Sequence, residues 1–161
     1  MDAITKYFTA ERNESILFLL AGLLAVVCSI YFLIKLNKDF YSGLSYSLVS
    51  IAIIQWIVGA SIYIRSPKDI ERVQDYCKHD KTQIQLVELP RMEKVMKSFQ
   101  LYKFIEISLL LIGLFLFFYF PSESLWKGFG LGLLIQSALM LILDFFAERR
   151  GKEYINYLLS L

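Results

Sequence analysis

Histidine is almost absent from this chain, cysteine and proline are scarce, and neither sign of charge dominates. His79 is the single histidine among 161 residues. Haem held between two histidines is therefore excluded, the Glu-x-x-His pairs of di-iron bundles are missing, and a zinc hydrolase site lacks ligands. The two cysteines, Cys28 in an apolar run and Cys77 in a polar one, form no C-x-x-C pair and are expected to be free thiols. A formal net charge of +2 gives no ground for a nucleic-acid partner. Proline occurs only as Pro67, Pro90 and Pro121, each beside a place where a helix is expected to start or stop.

What the chain has in excess is apolar surface. It is 57% hydrophobic and 16% aromatic, with mean hydropathy +0.52, against roughly 45–50% apolar residues in soluble domains. Four apolar runs cover residues 16–34, 44–64, 101–120 and 125–146. Each is near the ~20 residues that carry a helix across ~30 Å of hydrocarbon. Without water to satisfy an open backbone, a helix is the form such runs must take. Lys35, rather than a small-x-small cleavage site, follows the first run, and Val27 spoils a lipoprotein signal at Cys28. That run is expected to remain in the mature protein.

Short polar links at 37–39 and 121–124 would fold the runs into two antiparallel hairpins. The expected fold is an all-α membrane protein, residues 1–161 as a single domain. Four transmembrane helices form a bundle, and residues 66–100 form a cytoplasmic helical cap between spans two and three. Fourteen of the 17 basic residues fall on the side shared by the termini and the cap, leaving Lys35, Lys38 and Lys127 opposite. The positive-inside rule makes the rich side cytoplasmic, as in a bacterial inner membrane. So uneven a split argues against a small exporter that inserts in both orientations, and no internal repeat supports a transporter.

Within the cap, Ser66-Pro67-Lys68-Asp69 reads as a helix start, with a helix over 67–79, a connection over 80–90 and a second helix from near Arg91. Seven basic and six acidic residues between 66 and 100 suggest a solvated helical face. Met92, Val95, Met96 and Phe99 recur at helical spacing, either as packing or as an interaction surface for a protein partner or a second copy of the chain. The N-terminal Ala3, Ile4, Tyr7, Phe8 set and the C-terminal Tyr154, Ile155, Tyr157, Leu158, Leu159 set look similar, and lie along the interface or fold under the cap. The Glu88-Leu89-Pro90-Arg91-Met92-Glu93 block has the look of a signature.

Ionisable residues at membrane depth are costly, by roughly 2.5–3.5 kcal/mol at the centre of a span, and so are candidates for function. Glu106 and Asp144 qualify, with Lys103, Arg65, Arg149, Glu14 and Glu148 at the same level. The three-four rule puts Glu106 on the face of Lys103 and Gly113, and Asp144 on the face of Gly130, Leu133 and Ser137. Both faces are expected to point into the bundle, bringing the two acids together with Lys103, Arg65 or Arg149 as counter-ion. Gln55 and Gln136 look like inter-helix glue. Arg72 and His79 have a spacing that resembles the ribonuclease motif of HEPN domains, over two residues and without that family's helical context.

No catalytic set, cofactor or metal is implied. The expected role is that of a non-enzymatic accessory, assembly or protective factor working through its cap or spans, with the lipid bilayer as its first partner. The alternative is a small-molecule, lipid or ion site around Glu106 and Asp144.

Overall fold

The computed structural model describes residues 3–161, and these are helical almost throughout, with no strand among them. Helix α1 runs Ala3–Tyr31 and closes with a π turn, Phe32–Leu36; α2 runs Asp39–His79; a second π turn, Ile84–Glu88, leads into α3, Leu89–Tyr119; α4 runs Leu125–Leu159. All four helices are long and apolar enough to cross a membrane. Their outward faces agree: Leu20, Leu24 and Val27 of α1, Ile57 of α2, Phe115 and Phe118 of α3, and Ile142 and Phe145 of α4 are exposed. A soluble protein would not leave a continuous apolar belt uncovered.

The turns follow from particular residues. Asn37 takes the left-handed conformation, φ 38° and ψ 46°, and returns its N–H to the Phe32 carbonyl, which ends α1. Asparagine tolerates that region better than most side chains. Ser124 caps α4, its hydroxyl accepting from the Trp126 N–H at 3.2 Å. Asp80 shapes the turn after α2 by accepting from the Thr82 N–H at 3.0 Å and the Gln83 side chain at 3.2 Å. Hydrogen bonds from Thr82 and Gln83 hold the Asp80 carboxyl below its ordinary pKa.

One expected boundary is not there. Ser66 and Pro67 do not start a helix; α2 passes through them unbroken for 41 residues, roughly 60 Å at 1.5 Å per residue, about twice the hydrocarbon thickness. Pro67 removes one N–H from the helical ladder, but Ser66 turns its hydroxyl back onto the Ile62 carbonyl at 2.7 Å instead of capping. Side-chain bonds to α1 on both sides of the proline, Arg65 to Glu11 and Gln74 to Thr5, hold the two halves in line. Tertiary packing has overridden a local stop signal.

The helices pack in the order α1, α2, α4, α3. Between α1 and α2, Ser29 and Ser45 exchange hydroxyl-to-carbonyl bonds, the Trp56 indole N–H reaches the Leu19 carbonyl, and Arg12 meets the Tyr63 hydroxyl. As one number rises along these partners the other falls. Glycines let α2 and α4 approach backbone to backbone. A Cβ at Gly43 would stand 1.9 Å from the Leu125 carbonyl oxygen, and one at Gly128 would stand 1.8 Å from that of Phe40. Gly132, one turn on, faces the Ser47 hydroxyl, whereas Gly130 faces α3 across Gly113. The Gly128-x-x-x-Gly132 spacing is a membrane-helix packing motif, and here it serves α2. Deeper in the same interface the Gln55 amide donates to Gln136 at 2.9 Å.

The contacts set an order of sensitivity. Gly128→Ala must push one backbone off another and is expected to cost about 1–3 kcal/mol. Gly151→Ala meets only the ends of two flexible side chains, the Met96 sulfur at 3.0 Å and the Met92 methyl at 3.7 Å, and is expected to cost less than about 0.5 kcal/mol. Thermal unfolding of the two purified variants in one detergent checks the ranking.

Candidate functional site

Beyond the apolar belt, the helix ends that carry both termini close over a second core. Ile4, Tyr7 and Phe8 of α1, Val73 of α2, Ile84 and Met92 around the second π turn, and Tyr154 and Leu158 of α4 are all buried together. Tyr7 stacks on Tyr154 with ring centroids 4.2 Å apart, and Phe8 meets both rings edge-on. Of the amphipathic N- and C-terminal sets, Ile4, Tyr7, Phe8, Tyr154 and Leu158 thus fold inward here, while Leu159 stays exposed. Met92 belongs to this core and is fully buried, so the methionine stripe offers only Val95, Met96 and Phe99, each part-exposed, to anything outside.

Charge is buried alongside. Glu88 has no exposure, and Arg91 grips it with two bonds, Nε to Oε2 at 2.9 Å and a terminal nitrogen to Oε1 at 2.6 Å. Arg72 approaches Oε2 at 3.4 Å, and the Tyr154 hydroxyl donates to Oε1 at 3.2 Å. Arg72 also pairs with Asp69 at 2.7 Å; Asp69, 2% exposed, pairs with Arg65, which reaches Glu11 at 3.1 Å. A chain of alternating charges therefore runs Glu11, Arg65, Asp69, Arg72, Glu88, Arg91 and ties α1, α2, the second π turn and α3 together, with Tyr154 adding α4. The arginine of Arg91 also lies 5.6 Å from the Phe8 ring centroid, capping the aromatic cluster.

The solvated face expected between 66 and 100 is therefore corrected at two of its six acids. Asp69 and Glu88 are interior because Tyr7, Phe8, Val73 and Met92 gather apolar surface around them. Their signal was available as Arg65-x-x-x-Asp69, Asp69-x-x-Arg72 and Glu88-x-x-Arg91, spacings that join charges on one helical face. Composition alone averaged them into a neutral, wet segment. Two of these spacings fall within 65–72 and one within the block 88–93.

The residues singled out at membrane depth separate into distinct groups. Glu106 is 2% exposed and faces Asp144, which lies within hydrogen-bonding reach. The expected counter-ions go elsewhere. Lys103 binds Glu148 at 2.6 Å, Arg65 binds Glu11 and Asp69, and Arg149 binds Glu153 on an exposed face. Lys103 and Arg149 have found acids nearer the water, as long side chains at a membrane boundary do, whereas Arg65 is drawn to the enclosed Asp69. Glu14 is taken by Arg150, and Lys152 joins Lys103 on Glu148 at 2.7 Å. Both oxygens of Glu106 are left without a hydrogen-bond partner.

The other chemistry-bearing residues assemble nothing. Arg72 is committed to Asp69 and Glu88, while His79, on the exposed last turn of α2, pairs with Asp75 at 2.8 Å. No group of three metal-ligating side chains gathers among the described residues. A half-open cleft of about 150 Å³ lies between the start of α1 and the end of α4, lined by Lys6, Tyr7, Arg150, Glu153 and Tyr154 among others. Its charges nearly balance, and Arg150 is already engaged by Glu14. Comparison with protein-family models, curated proteins and solved structures finds no match to this chain. The class its fold defines is that of an all-helical, multi-pass membrane protein with four candidate spans.

Removing the enclosed Glu88 charge would leave the part-exposed Arg91 without an acid and Arg72 with Asp69 alone. Glu88→Gln is expected to cost about 3–5 kcal/mol and Tyr154→Phe, which withdraws one donor, about 1–3 kcal/mol. Glu153→Gln, on an exposed pair, should change stability by under about 1 kcal/mol. Melting of the three variants side by side in detergent tests that order.

Proposed function

We propose that this chain is a non-enzymatic integral membrane protein, an accessory, assembly or protective factor that acts through contacts of its charged end or its spans. The observation that carries this reading is the consumption of charge at that end. Arginines and acids that elsewhere would face a substrate here bind one another, with Glu11 bringing in α1 and the Tyr154 hydroxyl bringing in α4. In this reading the spans form two antiparallel hairpins, and residues 66–100, with both termini packed onto them, form a cap in the cytoplasm of a bacterial cell. The basic residues favour that orientation. The part-exposed Val95, Met96 and Phe99, and the exposed Leu86 within the second π turn, give the cap an apolar face for a protein partner or another copy.

A second reading has its own observation, the unpartnered Glu106 carboxylate. It makes the level of Glu106 and Asp144 a ligand site within the bundle rather than a structural joint.

Orientation is open to a labelling experiment in a chain whose Cys28 and Cys77 are serine. Lys38→Cys should react with an impermeant maleimide on intact cells, and Lys81→Cys only after permeabilisation; the reverse pattern would invert the topology. For the accessory role, affinity capture from detergent extract should recover a defined partner or a second copy. Polar replacement of Val95, Met96 and Phe99 should remove it, while Glu106→Gln retains it. Identical recoveries from the folded cap variant and the parent would count against the cap as the working surface.

A further inference from the structure

Glu106 and Asp144 present a problem that hydrogen bonding within the chain does not solve. Two carboxylates lie within hydrogen-bonding reach of each other, and a carboxylate oxygen is an acceptor, so neither satisfies the other. No donor reaches either oxygen of Glu106, although the residue is almost wholly enclosed. The charged groups that bear on the pair are Lys103 on α3 and Glu148 on α4. Lys103 sits one turn away but gives its ammonium to Glu148. The bases at the same end of α1, α2 and α4, namely Arg12, Arg65 and Arg150, are held by Tyr63, by Glu11 with Asp69, and by Glu14.

Two acceptors that face each other in a low-dielectric bundle attract a positive charge into the space between them. We propose that Glu106 and Asp144 form a binding site for one small monovalent cation, a proton or an alkali-metal ion, and that Lys103 is its built-in competitor. A divalent metal fits less well, since no third ligating side chain joins the pair among the described residues. Asp144 is only part-buried, and the Lys103–Glu148 ion pair lies one turn further toward the charged end. A cation arriving from that end meets the ion pair first. When the site is filled, Lys103 stays on Glu148; when it is empty, the same ammonium is the nearest charge able to swing inward. Occupancy and the Lys103–Glu148 bond are therefore linked, and a ligand can bias such a two-position element.

The proposal rests on the second functional reading, and its test is independent of partner capture. The full chain is purified in detergent and compared in choline, lithium, sodium and potassium chloride at equal ionic strength. Two readouts are followed: the infrared carboxylic-acid C=O band with its shift in heavy water, and thermal unfolding. If the occupant is a proton, the parent shows an exchange-sensitive band in choline that both Glu106→Gln and Asp144→Asn remove. If it is an alkali ion, one of the three raises the melting temperature over choline, and both variants abolish the rise. In either case Lys103→Gln, which removes the competitor, shifts the titration midpoint to lower cation concentration by about tenfold or more, the effect of one nearby charge. Circular dichroism and elution volume confirm that the variants are folded. A parent indistinguishable from both variants on both readouts overturns the site. A Lys103→Gln midpoint unchanged from the parent overturns the competition.

Discussion

The Glu88 carboxylate, enclosed completely and held by Arg91, Arg72 and Tyr154, constrains how everything at the charged end can pack. It stands at the junction of the second π turn with α3, takes a cation from α2 and a hydroxyl from α4, and is satisfied only when all of these arrive together. An enclosed ion pair of this kind adds little net stability over a well-packed apolar substitute, yet breaking one side of it is expensive. Its effect is to penalise other arrangements. A slip of α2 against α3 by one turn would withdraw Arg72 from Glu88, and a displaced α4 would withdraw Tyr154.

Around that joint the apolar residues and the charges solve one another's problem. Tyr7, Phe8, Val73, Ile84 and Met92 exclude water and so make an unpaired charge intolerable. The alternating sequence from Glu11 to Arg91 then leaves no carboxylate in that chain without a cation beside it. In the spans the balance is different. There is no hydrophobic force between helices in lipid, and close contact at Gly43, Gly128 and Gly132, assisted by the Gln55–Gln136 bond, joins α2 to α4. Rigid ionic packing at one end and glycine-mediated packing along the spans leave Glu106 and Asp144 as the place where neither scheme is complete.

The four apolar runs and the polar links were legible in the residues, because length and hydropathy are local properties. So was the meeting of Glu106 with Asp144, since helical periodicity put each on the face that carries Gly113 or Gly130. The interior of the charged end was not legible from charge counts. Seven basic and six acidic residues look the same whether they are wet or paired, and the i,i+3 and i,i+4 spacings acquire meaning only once the termini cover them. Pro67 misled for a related reason: it is a stop signal to an isolated helix and a tolerable defect in one clamped from both sides.

Sequence by itself determined that this chain is helical and lipid-exposed, because an apolar run of twenty residues has one way to satisfy its backbone in hydrocarbon. Only the tertiary structure decided which acids have partners. Lys103 lies on the same helical face as Glu106 and within a turn of it, yet the ammonium goes to Glu148, which is nearer the water and offers the same charge at lower desolvation cost. A counter-ion is chosen by competition among groups from different helices, and no spacing along one helix records the outcome.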